Sequence, residues 1–144
     1  MLDTVELTLV FHDGVCGLCD RFVQFLLPRD ARGALRFAQL QGQLAHAELS
    51  ARGFDPRDLD TVFVIAGWQS DHPRILMKSR AVLHAVSRIG GLWSALARIA
   101  LLVPPLIADR VYTFVARRRY RLFGRLDACP LPRPEWRQRF LDGP

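Results

Sequence analysis

Leu7-Thr8-Leu9-Val10-Phe11-His12-Asp13-Gly14-Val15-Cys16-Gly17-Leu18-Cys19 is the stretch whose reading decides the fold. Its first half is an apolar run with the character of a buried strand. Asp13-Gly14 is a turn signal. Beyond the cysteines, Phe22-Val23-Gln24-Phe25-Leu26-Leu27 carries apolar residues at helical spacing, and Pro28 through Gly33 supplies residues that stop a helix. Strand, tight turn and helix therefore follow one another, with two thiols in the first turn of the helix. Unpaired backbone N–H groups and the positive end of the macrodipole make that turn a place where a cysteine is held partly as thiolate. Residues three apart on a helix lie about 5–6 Å from each other at Cβ, close to disulfide reach.

Outward from this unit the pattern alternates. Leu35-Arg36-Phe37-Ala38 reads as a second strand, and Leu40 through Ala51 as a helix closed by Gly53. Asp55-Pro56 opens a helical turn. Thr61-Val62-Phe63-Val64-Ile65, β-branched and apolar on both faces, reads as a central strand, and Arg74 to Lys78 as its antiparallel partner. Ser79 is the expected N-cap of a helix over Arg80 to Ile89, ended by Gly90-Gly91. The order β-α-β-α-β-β-α is that of a thioredoxin-like α/β core. Residues 1–91 are expected to form this core, and 92–144 a C-terminal helical extension and basic tail packed on the same domain.

The stretch Leu92 to Ala108 is strongly apolar, yet it contains Arg98, is broken by Pro104-Pro105, and falls short of the roughly 20 unbroken residues a membrane span needs. A helix docked on the core or lying at an interface is the expected form. Asp109 to Phe123 resumes helical character, Pro130, Pro132 and Pro134 mark irregular chain, and a last turn is expected around Glu135 to Leu141.

The 144 residues, 50% of them apolar, suffice for one core. The net charge of +6 is unevenly placed: residues 1–109 hold 11 basic and 11 acidic side chains, whereas 110–144 hold nine arginines against three acids. The ordinary reading of such a tail is a solvated surface. Arg117-Arg118-Arg119-Tyr120-Arg121 sits in no nucleic-acid reading motif, so no nucleic-acid partner is expected, and contact with a membrane surface is a lesser reading. Met1 to Glu6 carries two acids and no basic n-region, so a cleaved secretory signal is not expected and a cytoplasmic location is. Three cysteines are too few for a disulfide framework, and in a reducing compartment a close pair reads as redox or metal chemistry.

Within the pair, Cys16 is expected nearer the helix end and the solvent as the attacking thiolate, with Cys19, one turn in and more shielded, as the resolving thiol. Gly17 and Leu18 bring no charge, so acidification of Cys16 is expected from the helix end alone, giving a moderate or reductant-leaning couple. Asp13 is expected to cap the helix or shape the turn, and is also placed to accept a proton during exchange. His12, at the strand end, reads as a packed residue before it reads as a base or ligand. The chemical rival is zinc: Cys16 and Cys19 are half of a tetrahedral site that Cys129 and a histidine could complete. No second ligand stands close to Cys129, and His46, His72 and His84 form no i,i+4 pair. Redox chemistry without metal or cofactor is therefore the first reading, and a zinc-binding or non-catalytic module using the basic C-terminal segment is the alternative.

Phe11-His12-Asp13-Gly14-Val15-Cys16-Gly17-Leu18-Cys19 resembles the Asp-Gly-X-Cys-X-X-Cys signature of the DCC-type thiol-disulfide oxidoreductase family. The similarity continues through Phe37-Ala38-Gln39-Leu40-Gln41, Ser79-Arg80-Ala81-Val82-Leu83, Gly90-Gly91, Arg119-Tyr120-Arg121-Leu122-Phe123-Gly124-Arg125 and Cys129-Pro130-Leu131-Pro132. The resemblance implies a thioredoxin-like fold and disulfide oxidoreductase activity, with Cys16 and Cys19 as the redox pair and a disulfide or dithiol substrate, expected to be a protein. Ser79, Arg80, Tyr120 and Cys129 match recurrent positions of the family. One departure from thioredoxin-like proteins stands out: they place a cis-proline just before the third core strand, whereas Asp58-Leu59-Asp60-Thr61 precedes Val62 here, and Thr61 is the residue expected in that place.

Overall fold

The computed structural model describes residues 6–13, 16–30, 32–55, 62–124 and 138–141, the side chains of Tyr120 and Phe123 excepted. Strand β1 (Leu7–His12) leads into helix α1 (Gly17–Leu26), a 3-10 turn (Leu27–Arg29) and strand β2 (Leu35–Gln39). Helix α2 (Gln43–Ala51) connects to the hairpin of β3 (Phe63–Trp68) and β4 (Arg74–Met77), after which the chain is helical in α3 (Lys78–Ser87), α4 (Gly91–Ala100) and α5 (Pro105–Phe123). The sheet order is β2-β1-β3-β4, with β1 and β2 parallel and the other two pairings antiparallel. This is the thioredoxin-like arrangement: a βαβ unit, whose crossover needs a helix, joined to a hairpin that needs none. The turn expected after Asp55-Pro56 lies outside the described residues.

Both faces of the sheet are covered, which is why β1 and β3 read as continuous apolar runs. On one face Val10, Leu35, Phe37 and Val64 pack with Val23 and Leu26 of α1 and Ala81 and Ala85 of α3; on the other, Leu9, Phe11, Phe63 and Ile65 pack with Ala45 and Leu49 of α2. Each such large side chain, fully buried, contributes on the order of 1.5–3 kcal/mol. Asp30 closes the α1–β2 connection, its two carboxylate oxygens accepting the backbone N–H groups of Ala34 and Leu35 at 2.9 Å. The chain returns at residues 138–141, where the Leu141 N–H donates to the Phe37 carbonyl (3.0 Å) and Phe140 stacks on Phe37, covering the outer edge of β2.

Three helix starts differ from expectation, the first being α2, which begins at Gln43, three residues after Leu40. Ser79 is not an N-cap: α3 begins at Lys78, two residues before the expected Arg80, with Met77 in the cap position. The carboxylate of Asp109 on α5 takes over that work, accepting from both the N–H and the hydroxyl of Ser79. Helix α5 starts at Pro105, four residues before the expected Asp109, because a proline at the first helical position lacks only an N–H that would have no intrahelical partner anyway.

Candidate active site

Cys16 is itself the N-cap of α1. Its backbone is extended (φ −89°, ψ 123°) and its sulfur accepts the N–H of Cys19 at 3.4 Å, the place an Asn or Ser oxygen usually takes. The Cys16 N–H donates to the Asp13 carbonyl (3.3 Å), and its carbonyl accepts from Asp20 at 3.0 Å, the first hydrogen bond of the helix. Both cysteines are free thiols. The spacing of the pair thus becomes geometry: one sulfur caps the turn and the other stands one turn inward on the same face.

Two expectations about the pair need correction. Cys16 is not the more exposed thiol: it is 0% exposed and Cys19 8%. The end of α5 comes down on the start of α1, where the carbonyl of Gly124 accepts the Gly17 N–H at 3.1 Å, a contact between residues far apart in sequence. Gly124 has φ +82°, a left-handed turn that a glycine adopts without strain and that aims its carbonyl back at α1. Nor does the helix end alone acidify Cys16. Its pKa is lowered to about 6, first by the hydrogen bond from the Cys19 thiol, then by the N–H groups of Cys19 and Leu18 and the charge of Arg119, against the opposing effect of burial. Cys19 moves the other way, raised by its bond to Cys16, by burial and by the neighbouring negative charges of Cys16 and Asp13. The assignment of Cys16 as the thiolate therefore rests on hydrogen bonding, not on exposure.

Asp13 is 1% exposed; Cys16, not Asp13, holds the N-cap position of α1, and Asp13 shapes the turn through its carbonyl. One carboxylate oxygen accepts from Gln41 Nε2 at 2.7 Å and the other faces Arg119 Nη2 at 3.4 Å. Arg119, 4% exposed, also donates to the Ala116 carbonyl at 2.7 Å. Gln41 and Arg119 are the members of this site that their sequence contexts did not single out. Within Arg117-Arg118-Arg119, the helical phase of α5 alone turns the last residue, Arg119, inward, on the side of Tyr112 and Ala116. His12 is the packed residue it was expected to be: 3% exposed, edge-on to Phe37, with no hydrogen-bond partner for either ring nitrogen among the described residues. Burial lowers its pKa to about 4, so it is neutral near pH 7. Thr61 and Cys129 lie outside the described residues. Among the described residues no three His, Cys, Asp or Glu side chains gather as a metal site would require.

Beside Cys19 an apolar cavity of about 250 Å³ opens between α1, α3 and α5. Leu18, Phe22, Val62, Val82 and Val115 are among its walls, with Arg119 at its polar end. The Val62 N–H, immediately before β3, donates to the Tyr112 hydroxyl at 2.7 Å, which ties α5 to the sheet at this point.

Comparison with known proteins agrees with this architecture. The uncharacterized protein YuxK of Bacillus subtilis is 32% identical over 133 residues, 92% of this chain and 93% of its own length. A DCC family protein of Arabidopsis thaliana, At1g52590, described as chloroplastic, is 32% identical over 123 residues, 85% of this chain and 69% of its own. No solved structure matches the chain significantly. The sequence model of the DCC1-like thiol-disulfide oxidoreductases matches residues 10–125, which contain the dithiol, the Asp13–Gln41–Arg119 cluster and helices α1 to α5, and the chain belongs to that family.

Proposed function

We propose that the chain exchanges disulfides in a protein substrate through Cys16 and Cys19. The single observation that carries this reading is the N-cap geometry of Cys16, whose sulfur is stabilised as thiolate by the thiol and N–H of Cys19. In the forward direction the Cys16 thiolate attacks one sulfur of a substrate disulfide, forming a mixed disulfide and expelling the other substrate sulfur as thiolate. Once Cys16 is bonded to substrate it carries no charge and no longer accepts from Cys19. The largest influence holding Cys19 as a thiol is then gone, and Cys19 can lose its proton. Its thiolate attacks the Cys16 sulfur, releases the second substrate thiolate and leaves a Cys16–Cys19 disulfide. Two electrons have passed to the substrate, and a dithiol reductant must return them for a further turn.

Asp13 is assigned the proton of Cys19, with Gln41 and Arg119 holding its carboxylate in place. Because Cys16 is shielded, exchange requires the α1–α5 junction at Gly17 and Gly124 to open to the substrate. The chemistry suits a reducing compartment, and the cytoplasm is the proposed location. The test is reduction of insulin disulfides with single variants. Cys16→Ser is expected to abolish turnover and Cys19→Ser to trap a mixed disulfide with substrate. Asp13→Asn is expected to slow resolution while sparing the first attack. Turnover retained in Cys16→Ser, or a mixed disulfide formed through Cys19 in that variant, refutes the assignment.

A further inference from the structure

Eleven of the twelve exposed large apolar side chains among the described residues lie between Leu92 and Leu122. Four of the most exposed sit at the elbow where α4 meets α5: Ile99 is 63% exposed, Leu102 82%, Leu106 68% and Ile107 56%. Among the described residues no single helix is long and apolar enough to cross a membrane, and α4 and Pro105–Arg119 of α5, which pass that test only together, are bent by 114°. The elbow is held from the inside. Arg80 on α3 donates to the carbonyls of Leu101 (2.6 Å) and Val103 (3.0 Å), and Asp109 at the start of α5 is engaged by Ser79. Its backbone is thus bound to the core while its apolar side chains point away.

Arginines border this tip. Along α5 the outward side chains are mainly apolar at Leu106, Ile107, Val111 and Phe114, with Arg110 among them, and mainly basic at Arg117, Arg118 and Arg121, with Leu122 among them; Arg118 lies over the Phe114 ring at 3.9 Å. A shallow hollow of about 350 Å³ on the same face brings Arg110, Arg117 and Arg118 together with Leu106 and Phe114, and Asp109 is its one acidic member. A convex apolar tip behind a collar of guanidinium groups is the form of an interfacial anchor on anionic lipid. A fluid bilayer closes around a protrusion without a complementary groove, and its phosphates neutralise the collar. A second copy of the chain would set one arginine collar against the other.

We infer that the α4–α5 elbow docks on an anionic phospholipid bilayer, with Leu102 and Leu106 in the acyl region and Arg110, Arg117, Arg118 and Arg121 at the headgroups. This goes beyond the thiol chemistry and does not depend on it. Helix α5 joins the two regions, for its inner face holds Arg119 against Asp13 and its outer face the collar, so docking holds the dithiol near the bilayer.

The experiment is flotation of the full chain with vesicles of phosphatidylcholine and phosphatidylglycerol in equal amounts, and with phosphatidylcholine alone. The wild type is expected to float with the anionic vesicles and to be released from them by salt. Leu102→Glu combined with Leu106→Glu, both at exposed positions, is expected to weaken binding at least about tenfold. Arg117→Gln, Arg118→Gln and Arg121→Gln together are expected to weaken it on the order of a hundredfold at low salt and to erase the preference for phosphatidylglycerol. The proposal is overturned if the wild type binds neither vesicle, or if both variants float like the wild type. It is equally overturned if the elbow proves to be a dimer contact, seen as a concentration-dependent dimer that the leucine substitutions dissolve and vesicles do not compete with.

Discussion

The acidity of Cys16 can be separated into its causes by experiment. The largest is the hydrogen bond from the Cys19 thiol and the smallest the charge of Arg119, with a pKa of about 6 as the result. Cys19→Ala removes the donor and leaves Arg119 and the helix end in place. Each unit of pKa is worth about 1.4 kcal/mol, and a hydrogen bond to a charged acceptor about 1.5–3 kcal/mol, so the midpoint should rise by one to two units, to roughly 7–8. Cys19→Ser keeps an O–H donor and should stay closer to 6. Arg119→Met should move the midpoint less than Cys19→Ala does. The assay is the pH dependence of iodoacetamide alkylation at Cys16, followed by mass spectrometry. The midpoint is the informative quantity: a less acidic thiolate is intrinsically more nucleophilic, with a Brønsted slope of about 0.4–0.5, so rates at one pH partly cancel. Burial of Cys16 multiplies all rates by the fraction of time the site is open and leaves the midpoint in place. A midpoint unchanged in Cys19→Ala, or moved further by Arg119→Met, refutes the ranking.

Three further outcomes follow from the packing around the site. The Asp13–Arg119 pair, 3.4 Å apart and almost fully buried, has a gross attraction of about 5 kcal/mol at an effective dielectric constant near 20. Breaking it from one side should cost about 3–5 kcal/mol in urea unfolding, and Asp13→Asn with Arg119→Met should cost clearly less than the two single losses added. Additive losses would show that the two charges do not interact. His12 is buried neutral, with its pKa lowered to about 4 from an ordinary 6.5. The unfolded chain takes up that proton first, so stability should fall as pH drops from about 6.5 to about 4, by up to about 3 kcal/mol. His12→Leu should flatten this part of the stability profile, and an unchanged slope argues against the buried neutral ring. Arg80→Ala removes two charge-assisted bonds from the elbow, at about 1.5–3 kcal/mol each, and should speed hydrogen exchange there while leaving β1 and β3 protected. Equal protection of the elbow in the variant would mean that Arg80 does not hold it.

The thioredoxin-like core was legible because its signals are local. The apolar run of β1, the period of α1 and the turn between them lie within one short stretch, and β3 was recognisable as central from its continuous apolar character. Boundaries moved where a distant residue took over a local role. Ser79 has the composition of an N-cap, yet Asp109 supplies the acceptor, and the helix starts at Lys78 instead. The reversed exposure of the two thiols goes with a contact of the same kind: the Gly124 end of α5 meets the start of α1 at Gly17, which nothing near the dithiol announces.

By itself the sequence determined the order of elements, the presence of a dithiol at a helix start and the family signature, because periodicity and turn chemistry act between neighbours. Only the tertiary structure decided which arginine of the run 117–119 meets Asp13, that Gln41 completes the cluster, and that the apolar stretch after Gly91 faces outward. Those outcomes depend on the rotation of α5 about its axis and on its docking against α1 and α3. That placement is set by the summed packing of side chains distant in sequence, and the arginines it separates are chemically identical.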